Sequence, residues 1–412
     1  MIKTNNNMKL CKLFIAIICA ALTLNLTTGC NNSDSTESKA KYIFLFIGDG
    51  MGNSHVAATE SYLSYKEGKL GGEQLTFTQF PNQCLCTTYS ADNNITDSSA
   101  SGSAIACGEK TNNGMLGMTP DGTLMRSIAF DLQDEGYKVG IMSSVPINHA
   151  TPASFYGHNE KRSAYYSISQ EIPASGFEFF GAPGFLDFND KDGKAEDIDI
   201  YLERNGYKVC YGPAEFAGAA DTTEHIIFCQ ESNRKESPDN YVSGAAEAKD
   251  IALAEIVEMA VEFLGDEEPF FIMCEGGAID WSAHDNRTMS TITEILEFDK
   301  AIAVAYQFYQ EHPEETLIVV TADHETGGMA IGSRKGSSSV NWAKLEEQWE
   351  ESGHKNTLNG EENRELNETC SIGWTTFGHS GSPVPTYAIG KGAERFFGRI
   401  DNTEIKGKIL GE

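Results

Sequence analysis

The chain has 412 residues, which is enough for one large α/β domain with insertions or for two smaller domains. Its 60 acidic residues outnumber its 31 lysines and arginines and give a formal net charge of −29. This balance excludes a generic nucleic-acid-binding protein, because a phosphate backbone needs a basic footprint, and an anionic substrate would need positive charge from another source such as multivalent metal.

The N-terminal segment predicts export from the cytoplasm. A basic start precedes an apolar run at residues 13–26, a pattern typical of a secretory signal peptide, which we place at residues 1–29. Gly29 followed by Cys30 resembles a bacterial lipoprotein processing site, so Cys30 is predicted to carry lipid and residues 31–40 to form a flexible tether. The alternative is an uncleaved membrane anchor, although the run is shorter than the roughly 20 residues that a span needs.

Residues 41–412 are predicted to form one catalytic domain. Four apolar runs in it each lead into polar or glycine residues, and they lie at 42–47, 139–142, 270–274 and 317–321. Runs of this kind are typical of central strands in a parallel sheet that is buried on both faces. Helical spacing at 248–264 and 292–309 supplies the alternating helices, so the pattern predicts a three-layer α/β/α sandwich with a mostly parallel sheet.

Two stretches interrupt this alternation, and we interpret both as cap-like insertions. One, at about 155–245, is rich in aromatic, glycine and acidic residues, and the other, at 326–378, is rich in Gly, Ser, Glu and Asn. The sequence has no Cys-x-x-Cys pair, so a thiolate zinc site is not expected. Pairing of Cys210 with Cys229 stays open, because connectivity does not follow from sequence.

Two short motifs pair a carboxylate with an imidazole. Asp280 and His284 are four residues apart and share one face if the segment is helical. Asp323 and His324 follow a predicted strand, and both reach one ion only if the chain turns there. Each pair taken alone has the alternative of a capping or surface carboxylate beside an unrelated histidine.

Two further segments carry glycine and small residues around a candidate group. Asp49 lies in Gly-Asp-Gly-Met-Gly, where the glycines allow a carboxylate to approach a crowded metal centre. Ser98 lies in a run of small residues where a helix is expected to begin, so the helix N-terminus would favour its alkoxide. The alternatives are an ordinary tight turn for the first segment and a helix N-cap at Asp97 or Ser98 for the second.

These motifs together resemble the signature of the alkaline phosphatase family. The blocks that carry the resemblance run in order from about residue 43 to residue 389, and they are Gly-Asp-Gly-Met-Gly, Thr-Asp-Ser, Ala-Thr-Pro, Glu-Gly-Gly-Ala-Ile-Asp, Thr-Ala-Asp-His-Glu and Gly-His-Ser-Gly. The resemblance implies a metal-dependent hydrolase of small-molecule phosphate monoesters. It would act through a phosphoserine on Ser98 and release inorganic phosphate in the periplasm or at the cell exterior.

The resemblance also implies two zinc ions and one magnesium ion. The first zinc would be held by Asp280, His284 and His379. The second zinc would be held by Asp49, Asp323, His324 and the Ser98 oxygen. The third ion, with zinc or cobalt as alternatives to magnesium, would be held by Asp49, Thr151 and Glu275.

The last implied residues act on phosphate or adjoin the metals. Arg162 would grip two phosphate oxygens, and Asp97 would orient that arginine. His149 and Trp281 stand where many bacterial members have Asp and Lys, so the third ion and the phosphate affinity are expected to differ from theirs. A homodimer and a monomer both stay open. The other histidines are expected to have structural or surface roles; they are His55, His158, His225, His312 and His354.

Two other functions remain as alternatives. The same metal framework serves hydrolysis of phosphodiesters or sulfates, although Ser98 combined with Arg162 argues against both. A surface protein that binds phosphate or metal without turnover is the alternative from outside the enzymes, and the complete set of candidate residues disfavours it.

Overall fold

The computed structural model describes residues 39–189, 195–234, 250–355 and 357–412. The predicted signal peptide, Cys30 and residues 31–38 of the predicted tether lie outside the described residues. Across those described ranges, no helix has both the length and the apolar character that crossing a membrane requires.

A ten-stranded sheet forms the centre of the described chain. Its strands are β1 (Tyr42–Gly48), β2 (Asn82–Thr87), β3 (Lys138–Ser143), β4 (Phe179–Ala182), β5 (Lys208–Tyr211), β6 (Ile226–Cys229), β7 (Phe270–Gly276), β8 (Thr316–Thr321), β13 (Val384–Gly390) and β14 (Gly398–Asp401). Their order across the sheet is β14-β2-β13-β8-β1-β7-β3-β4-β6-β5. Strand β13 runs antiparallel to β2 and β8, and the other neighbouring pairs are parallel.

The four strands predicted from apolar runs are confirmed as β1, β3, β7 and β8, and they lie side by side at the centre of the sheet. Every residue of β1, β7 and β8 is buried. Burial at consecutive positions requires cover on both faces, because neighbouring side chains on a strand point in opposite directions. The α/β sandwich with a mostly parallel central sheet is therefore confirmed.

Two groups of helices pack against this sheet. The first group comprises Asn53–Lys66, Leu253–Leu264, Ala278–His284 and Thr288–Glu311. The second comprises Ser98–Cys107, Ile128–Asp134, Ala150–Ala153 and Glu404–Leu410. The remaining helices are Tyr165–Ser169, Ile172–Ser175, Ile198–Arg204, Pro213–Ala219, Trp342–Glu351 and Gly360–Thr369.

The two helices predicted from apolar spacing are present with different bounds. The helix predicted at 248–264 begins at Leu253, because Ala252 is extended and its N–H donates to Glu255 Oε2 at 2.8 Å. Glu255 thereby satisfies a backbone donor at the helix start. The helix predicted at 292–309 is longer, Thr288–Glu311.

The segments predicted as insertions contribute differently to the fold. Strands β4, β5 and β6 lie within 155–245 and extend the central sheet beyond β3. Residues 326–378 include the helices Trp342–Glu351 and Gly360–Thr369 and two-residue strands β10 (Ala330–Ile331) and β11 (Ile372–Gly373). Four tryptophan and leucine side chains of this segment join a second hydrophobic cluster; they are Trp342, Leu345, Trp349 and Trp374.

The disulfide between Cys210 and Cys229, which the sequence left undecided, does not form, and both thiols are free. The two residues lie on neighbouring parallel strands, but Cys210 is opposite Phe228 and Cys229 is opposite Tyr211. A register offset of one residue points their side chains to opposite faces of the sheet.

Candidate active site

The polar residues that follow the central strands meet at one edge of the sheet. Asp49 comes directly after β1, Glu275 is the penultimate residue of β7, and Asp323 comes two residues after β8. Strand register places Ile47 of β1 beside both Glu275 and Thr321. Neighbouring parallel strands therefore bring these three carboxylates together at their carboxyl ends, where ligands bind in open α/β sheets.

The turn that carries Asp49 requires glycine at position 50. Gly50 has φ +73°, and a Cβ atom there would lie 2.8 Å from Thr326 Oγ1 and 3.0 Å from Asp280 Oδ1. Its N–H donates to Asp323 Oδ1 at 3.1 Å. Both the backbone conformation and the space thus exclude other side chains, and the turn packs directly against two further candidate ligands.

The first candidate ligand group contains Asp280, His284 and His379, whose ligand atoms lie within 4.8 Å of one another. The helix Ala278–His284 presents Asp280 and His284 on one face, with Asp280 Oδ2 3.3 Å from His284 Nε2. Backbone carbonyls orient both rings: Phe377 O is 2.6 Å from His284 Nδ1, and Thr96 O is 2.8 Å from His379 Nδ1. Each Nε2 atom therefore faces Asp280, as a metal-binding imidazole requires.

The second candidate group centres on His324. Its Nε2 atom lies 3.3 Å from Asp49 Oδ1, 3.3 Å from Asp323 Oδ2 and 3.2 Å from Ser98 Oγ. Strand β8 ends at Thr321, before Asp323. The chain therefore turns there, which allows the adjacent residues Asp323 and His324 to face the same point. Asp280 also comes within 4.8 Å of Asp49 and His324, so it lies between the first two groups.

The third candidate group lies on the other side of Asp49. Glu275, His149 and Asp49 have ligand atoms within 4.8 Å of one another, and all three are buried. Ser143 Oγ donates a hydrogen bond to Glu275 Oε2 and holds that carboxylate in place. Thr151, also fully buried, has no hydrogen-bond partner for its hydroxyl within the described chain.

Ser98 is the first residue of the helix Ser98–Cys107 and is buried beside the second group. Asp97 caps this helix, because its Oδ1 atom accepts the Ala100 N–H at 3.0 Å. The capping interpretation of Asp97 is thus correct, and the same residue also contacts the candidate phosphate site. The helix N-terminus supplies free N–H groups and a partial positive charge beside Ser98 Oγ.

Arg162 bridges two predicted site residues. Its Nη1 atom donates to Asp97 Oδ2 at 3.1 Å, and its Nη2 atom lies 3.1 Å from His149 Nε2. Burial and the Arg162 charge lower the pKa of His149 to about 3, so its neutral Nε2 accepts from the guanidinium. The Trp281 ring stands nearly perpendicular to the His149 ring at 5.7 Å, which gives this side of the site an apolar wall.

The carboxylates of the site are buried close to one another. Burial, followed by the nearby charges of other carboxylates, raises the pKa of Asp49 and of Asp323 well above the usual range. Burial raises the pKa of Glu275 to about 7. Burial also acts to raise the pKa of Asp280, but its hydrogen bond to His284 and the charge of that ring outweigh burial and lower it.

Several oxygens at this edge have no hydrogen-bond partner within the described chain: both of Asp49, Glu275 Oε1, Asp323 Oδ2 and Thr151 Oγ1. Buried carboxylates need compensating positive charge or donors, and unpaired ones are costly. Carboxylate and imidazole ligands suit zinc, and the all-oxygen part of the third group suits magnesium. The donors present therefore fit divalent cations.

Sequence reasoning missed residues that hold these ligands. Thr326 Oγ1 donates to Asp280 Oδ1 at 2.5 Å and lies 3.2 Å from His324 Nδ1. Ser143 holds Glu275 and ends β3, so its position at the carboxyl end of a predicted strand was a usable signal. The carbonyls of Thr96 and Phe377 carried no signal, because any residue supplies a backbone oxygen.

The histidines assigned structural or surface roles lie outside the three candidate groups. His55 is fully buried, and its Nδ1 atom accepts the Gly52 N–H at 3.0 Å. His158 contacts Glu171, and His225 Nδ1 lies 3.1 Å from a backbone carbonyl. His354 forms an exposed ion pair with Glu350, and His312 packs its ring against Tyr42.

The sequence at residues 40–202 and 240–410 matches the family model described as "Alkaline phosphatase". The chain belongs to the alkaline phosphatase family. This membership agrees with the grouped carboxylates, imidazoles and serine, and it makes the protein a metal-binding hydrolase that acts on phosphate monoesters.

Relatives named as alkaline phosphatases match over most of the chain. Alkaline phosphatase 3 of Bacillus subtilis (strain 168) is 27% identical over 437 residues, which covers 91% of this chain and 89% of the relative. The solved alkaline phosphatase of the Antarctic bacterium TAB5 is 31% identical, with a TM-score of 0.72 over 91% of this chain and 98% of that one.

Two more solved alkaline phosphatases resemble the chain over nearly their whole length. The cold-active enzyme of Shewanella sp. is 25% identical, with a TM-score of 0.74 and coverage of 90% of this chain and 99% of that one. A TAB5 variant with one histidine replaced by glutamate, described with Mg bound in a site named M3, is 30% identical with a TM-score of 0.70 over 90% and 97% of the two chains.

Proposed function

We propose that this phosphate monoester hydrolase transfers the phosphoryl group first to Ser98 and then to water. The observation that carries the proposal is the position of Ser98 Oγ at a helix N-terminus, 3.2 Å from His324 Nε2 in a buried group of carboxylates and imidazoles. The family resemblance supports the same role for this serine. No other serine hydroxyl stands in such a position among the residues that the structure describes.

The three groups of donors are proposed to hold two zinc ions and one further divalent ion. Asp280, His284 and His379 form the first set. Asp49, Asp323, His324 and Ser98 Oγ form the second set. Asp49, Thr151 and Glu275 form the third set, with His149 beside them. Bound divalent ions supply positive charge that activates a hydroxyl and stabilises attacking and leaving oxygens.

Magnesium, zinc and cobalt are the candidates for the third ion. Magnesium prefers oxygen ligands and suits Asp49, Thr151 and Glu275, and the TAB5 protein described with Mg bound is a variant in which glutamate replaces a histidine. His149 places an imidazole within 4.8 Å of the Asp49 and Glu275 ligand atoms, and an imidazole favours a transition metal.

The chain's own residues provide binding and alignment for the transfer. Ser98 Oγ forms a bond to phosphorus while the bond from phosphorus to the leaving alkoxide oxygen breaks, and water later releases the phosphate from the serine. Arg162 presents its planar guanidinium to two phosphate oxygens, and Asp97 holds that guanidinium at 3.1 Å. Trp281 excludes water on one side without adding charge.

An assay with matched substrates tests this function. Purified protein is expected to hydrolyse an aryl phosphate much faster than a bis-aryl phosphate or an aryl sulfate, and a chelator is expected to abolish the activity. Faster hydrolysis of the diester or the sulfate would assign the protein to those reactions instead. Bound metal or phosphate with no turnover of any substrate would make it a binding protein.

Replacement of Ser98 tests the phosphoserine. Ser98→Ala is expected to abolish trapping of labelled phosphate on the protein while most of the metal stays bound. Ser175→Ala, which also removes a buried hydroxyl but lies away from the site, serves as the control and is expected to keep activity. Unchanged turnover in Ser98→Ala would refute the nucleophile assignment.

We also propose export, with residues 41–412 as one catalytic domain that carries insertions at about 155–245 and 326–378. The basic and apolar N-terminal pattern with Gly29-Cys30 supports a periplasmic or lipid-anchored protein with Cys30 lipidated. A relative from Bombyx mori, 29% identical over 336 residues and 69% of this chain, is named membrane-bound. Light scattering of the purified protein distinguishes the homodimer from the monomer.

A further inference from the structure

A polar network, buried at His55 and Glu325 and half-buried at Ser380, adjoins the candidate ligands and contains none of them. We call these three residues the Glu325 network. His55 and Glu325 are 0% and 4% exposed, so their contacts are shielded from water. A buried carboxylate needs several donors to stay in place, and this one has them.

One side of the network holds the turn after β1. The Gly52 N–H donates to His55 Nδ1 at 3.0 Å, so the proton of the neutral imidazole is on Nε2. That Nε2 atom lies 3.8 Å from Glu325 Oε1, which is a close polar contact but too long for a hydrogen bond. A Cβ atom at position 52 would lie 2.2 Å from Glu325 Cγ, so glycine lets the carboxylate pass beneath the turn that begins with Asp49.

The other side of the network holds the strand of His379. Ser380 Oγ donates to Glu325 Oε2, and the Gly328 N–H donates to Glu325 Oε1 at 2.8 Å. The strands β9 (Glu325–Thr326) and β12 (His379–Ser380) pair so that Glu325 is opposite Ser380. Glu325 thus belongs to the strand that follows His324 and contacts, through Ser380, the strand that contains His379.

We propose that Glu325, acting through His55 and Ser380, positions the segments that carry Asp49, His324 and His379, and that it thereby sets how tightly the first two groups hold their cations. The network contacts three separate parts of the chain, each close in sequence to a candidate ligand. Glu325 is next to His324, Ser380 is next to His379, and Gly52, which donates to His55, is three residues after Asp49. None of its three side chains reaches the ligand groups itself, so these are positioning residues. The inference rests on the proposed function insofar as those groups bind metal.

Outer contacts of this kind have a measurable effect on metal affinity. Removal of a residue that orients a ligand typically weakens metal binding by about 10–100-fold. A purely structural role would instead lower the melting temperature of the metal-free protein without a selective loss of metal. Comparison of the loss of zinc affinity with the fall in melting temperature of the metal-free protein therefore distinguishes a positioning role from ordinary packing.

The test compares zinc retention by the full chain and its variants against a chromophoric chelator. Ser380→Ala is expected to weaken zinc binding by about 10–100-fold. Ser380→Thr, which keeps the hydroxyl, is expected to restore it. Ser127→Ala, which removes a hydroxyl that donates to Phe155 O, is the control. It is expected to lower the melting temperature at least as much as Ser380→Ala, because Ser127 is the more deeply buried serine, but to keep wild-type zinc retention.

A second pair of variants covers the case in which Ser380→Ala does not fold. His55→Asn keeps an acceptor for the Gly52 N–H, whereas His55→Ala does not, so zinc is expected to be retained better by the asparagine variant. Equal zinc retention in Ser380→Ala and Ser127→Ala, or in the two His55 variants, overturns the inference. A wild-type protein that neither holds zinc nor hydrolyses the aryl phosphate overturns the proposed function instead.

Discussion

Asp97 has two separable contacts, and its replacement distinguishes them. Its Oδ1 atom caps the helix Ser98–Cys107 through the Ala100 N–H, and its Oδ2 atom accepts from Ser99 Oγ at 2.8 Å, Gly114 N at 3.0 Å and Arg162 Nη1 at 3.1 Å. Asp97→Asn keeps the capping oxygen, because asparagine caps as well as aspartate, but it presents an amide NH₂ to the donors from which Oδ2 accepts, Arg162 among them. Asp97→Ala removes both sets of contacts.

The structure sets the size of each effect. A hydrogen bond to a charged group contributes about 1.5–3 kcal/mol, so loss of the Arg162 anchor is expected to lower kcat/KM by roughly 10–100-fold in both variants. Loss of the cap costs about 1 kcal/mol more, so Asp97→Ala is expected to be less stable than Asp97→Asn by that amount. Steady-state kinetics with an aryl phosphate and urea unfolding of the metal-loaded protein measure the two quantities.

Either measurement can refute this reasoning. Wild-type kcat/KM in Asp97→Asn would show that Asp97 does not position Arg162 for phosphate. Equal stability of the two variants would show that the Ala100 hydrogen bond contributes nothing to the helix. A Lys138→Met variant, which alters a part-exposed charge outside the site, controls for a general effect of charge.

Two further predictions concern the turn at Gly50 and the response to pH. Gly50→Ala is expected to lose zinc and activity, because its Cβ would lie 2.8 Å from Thr326 Oγ1. Gly68→Ala is the control: Gly68 has a similar φ of +68° but open space around it, so this variant is expected to lower only stability. Zinc analysis of both variants checks the prediction. The metal-free protein is expected to lose stability as pH rises from about 6.5 to 9, measured by melting in chelator. In the folded state Glu275 releases its proton at a pKa of about 7 and His284 at about 9, whereas the unfolded chain releases these protons at lower pH. Constant or rising stability over that interval would contradict the assigned pKa shifts.

Much of the site was predictable from sequence because the central strands and the chemistry lie in the same short segments. Apolar runs predicted β1 and β7, and the parallel arrangement then placed Asp49 and Glu275 at one edge. The helical spacing of Asp280 and His284 likewise predicted a shared face, which the helix Ala278–His284 provides. For the strands and for this helix alike, the local sequence pattern was enough to predict which way the ligand side chains point.

The remaining features depend on contacts between distant parts of the chain. Strands β4, β5 and β6 have only four residues each, which is too short for a clear apolar pattern, so their place in the central sheet was not predicted. Glu325 follows a predicted ligand, but its partners His55 and Ser380 are 270 and 55 residues away in sequence. Periodicity contains no information about such pairings.

The position of β13 has a consequence for synthesis of the protein. Strand β2 lies between β13 and β14 in the sheet. Residues 82–87 therefore have no strand to pair with until residues about 300 positions later have been synthesised. His379 comes just before β13. It must also reach the candidate site, which contains residues from near the start of the chain such as Asp49. A nascent polypeptide that stops before Val384 therefore carries every candidate metal ligand but lacks the strand that joins β2 to β8. Premature termination near the C-terminus is expected to yield a chain that does not fold to the native state.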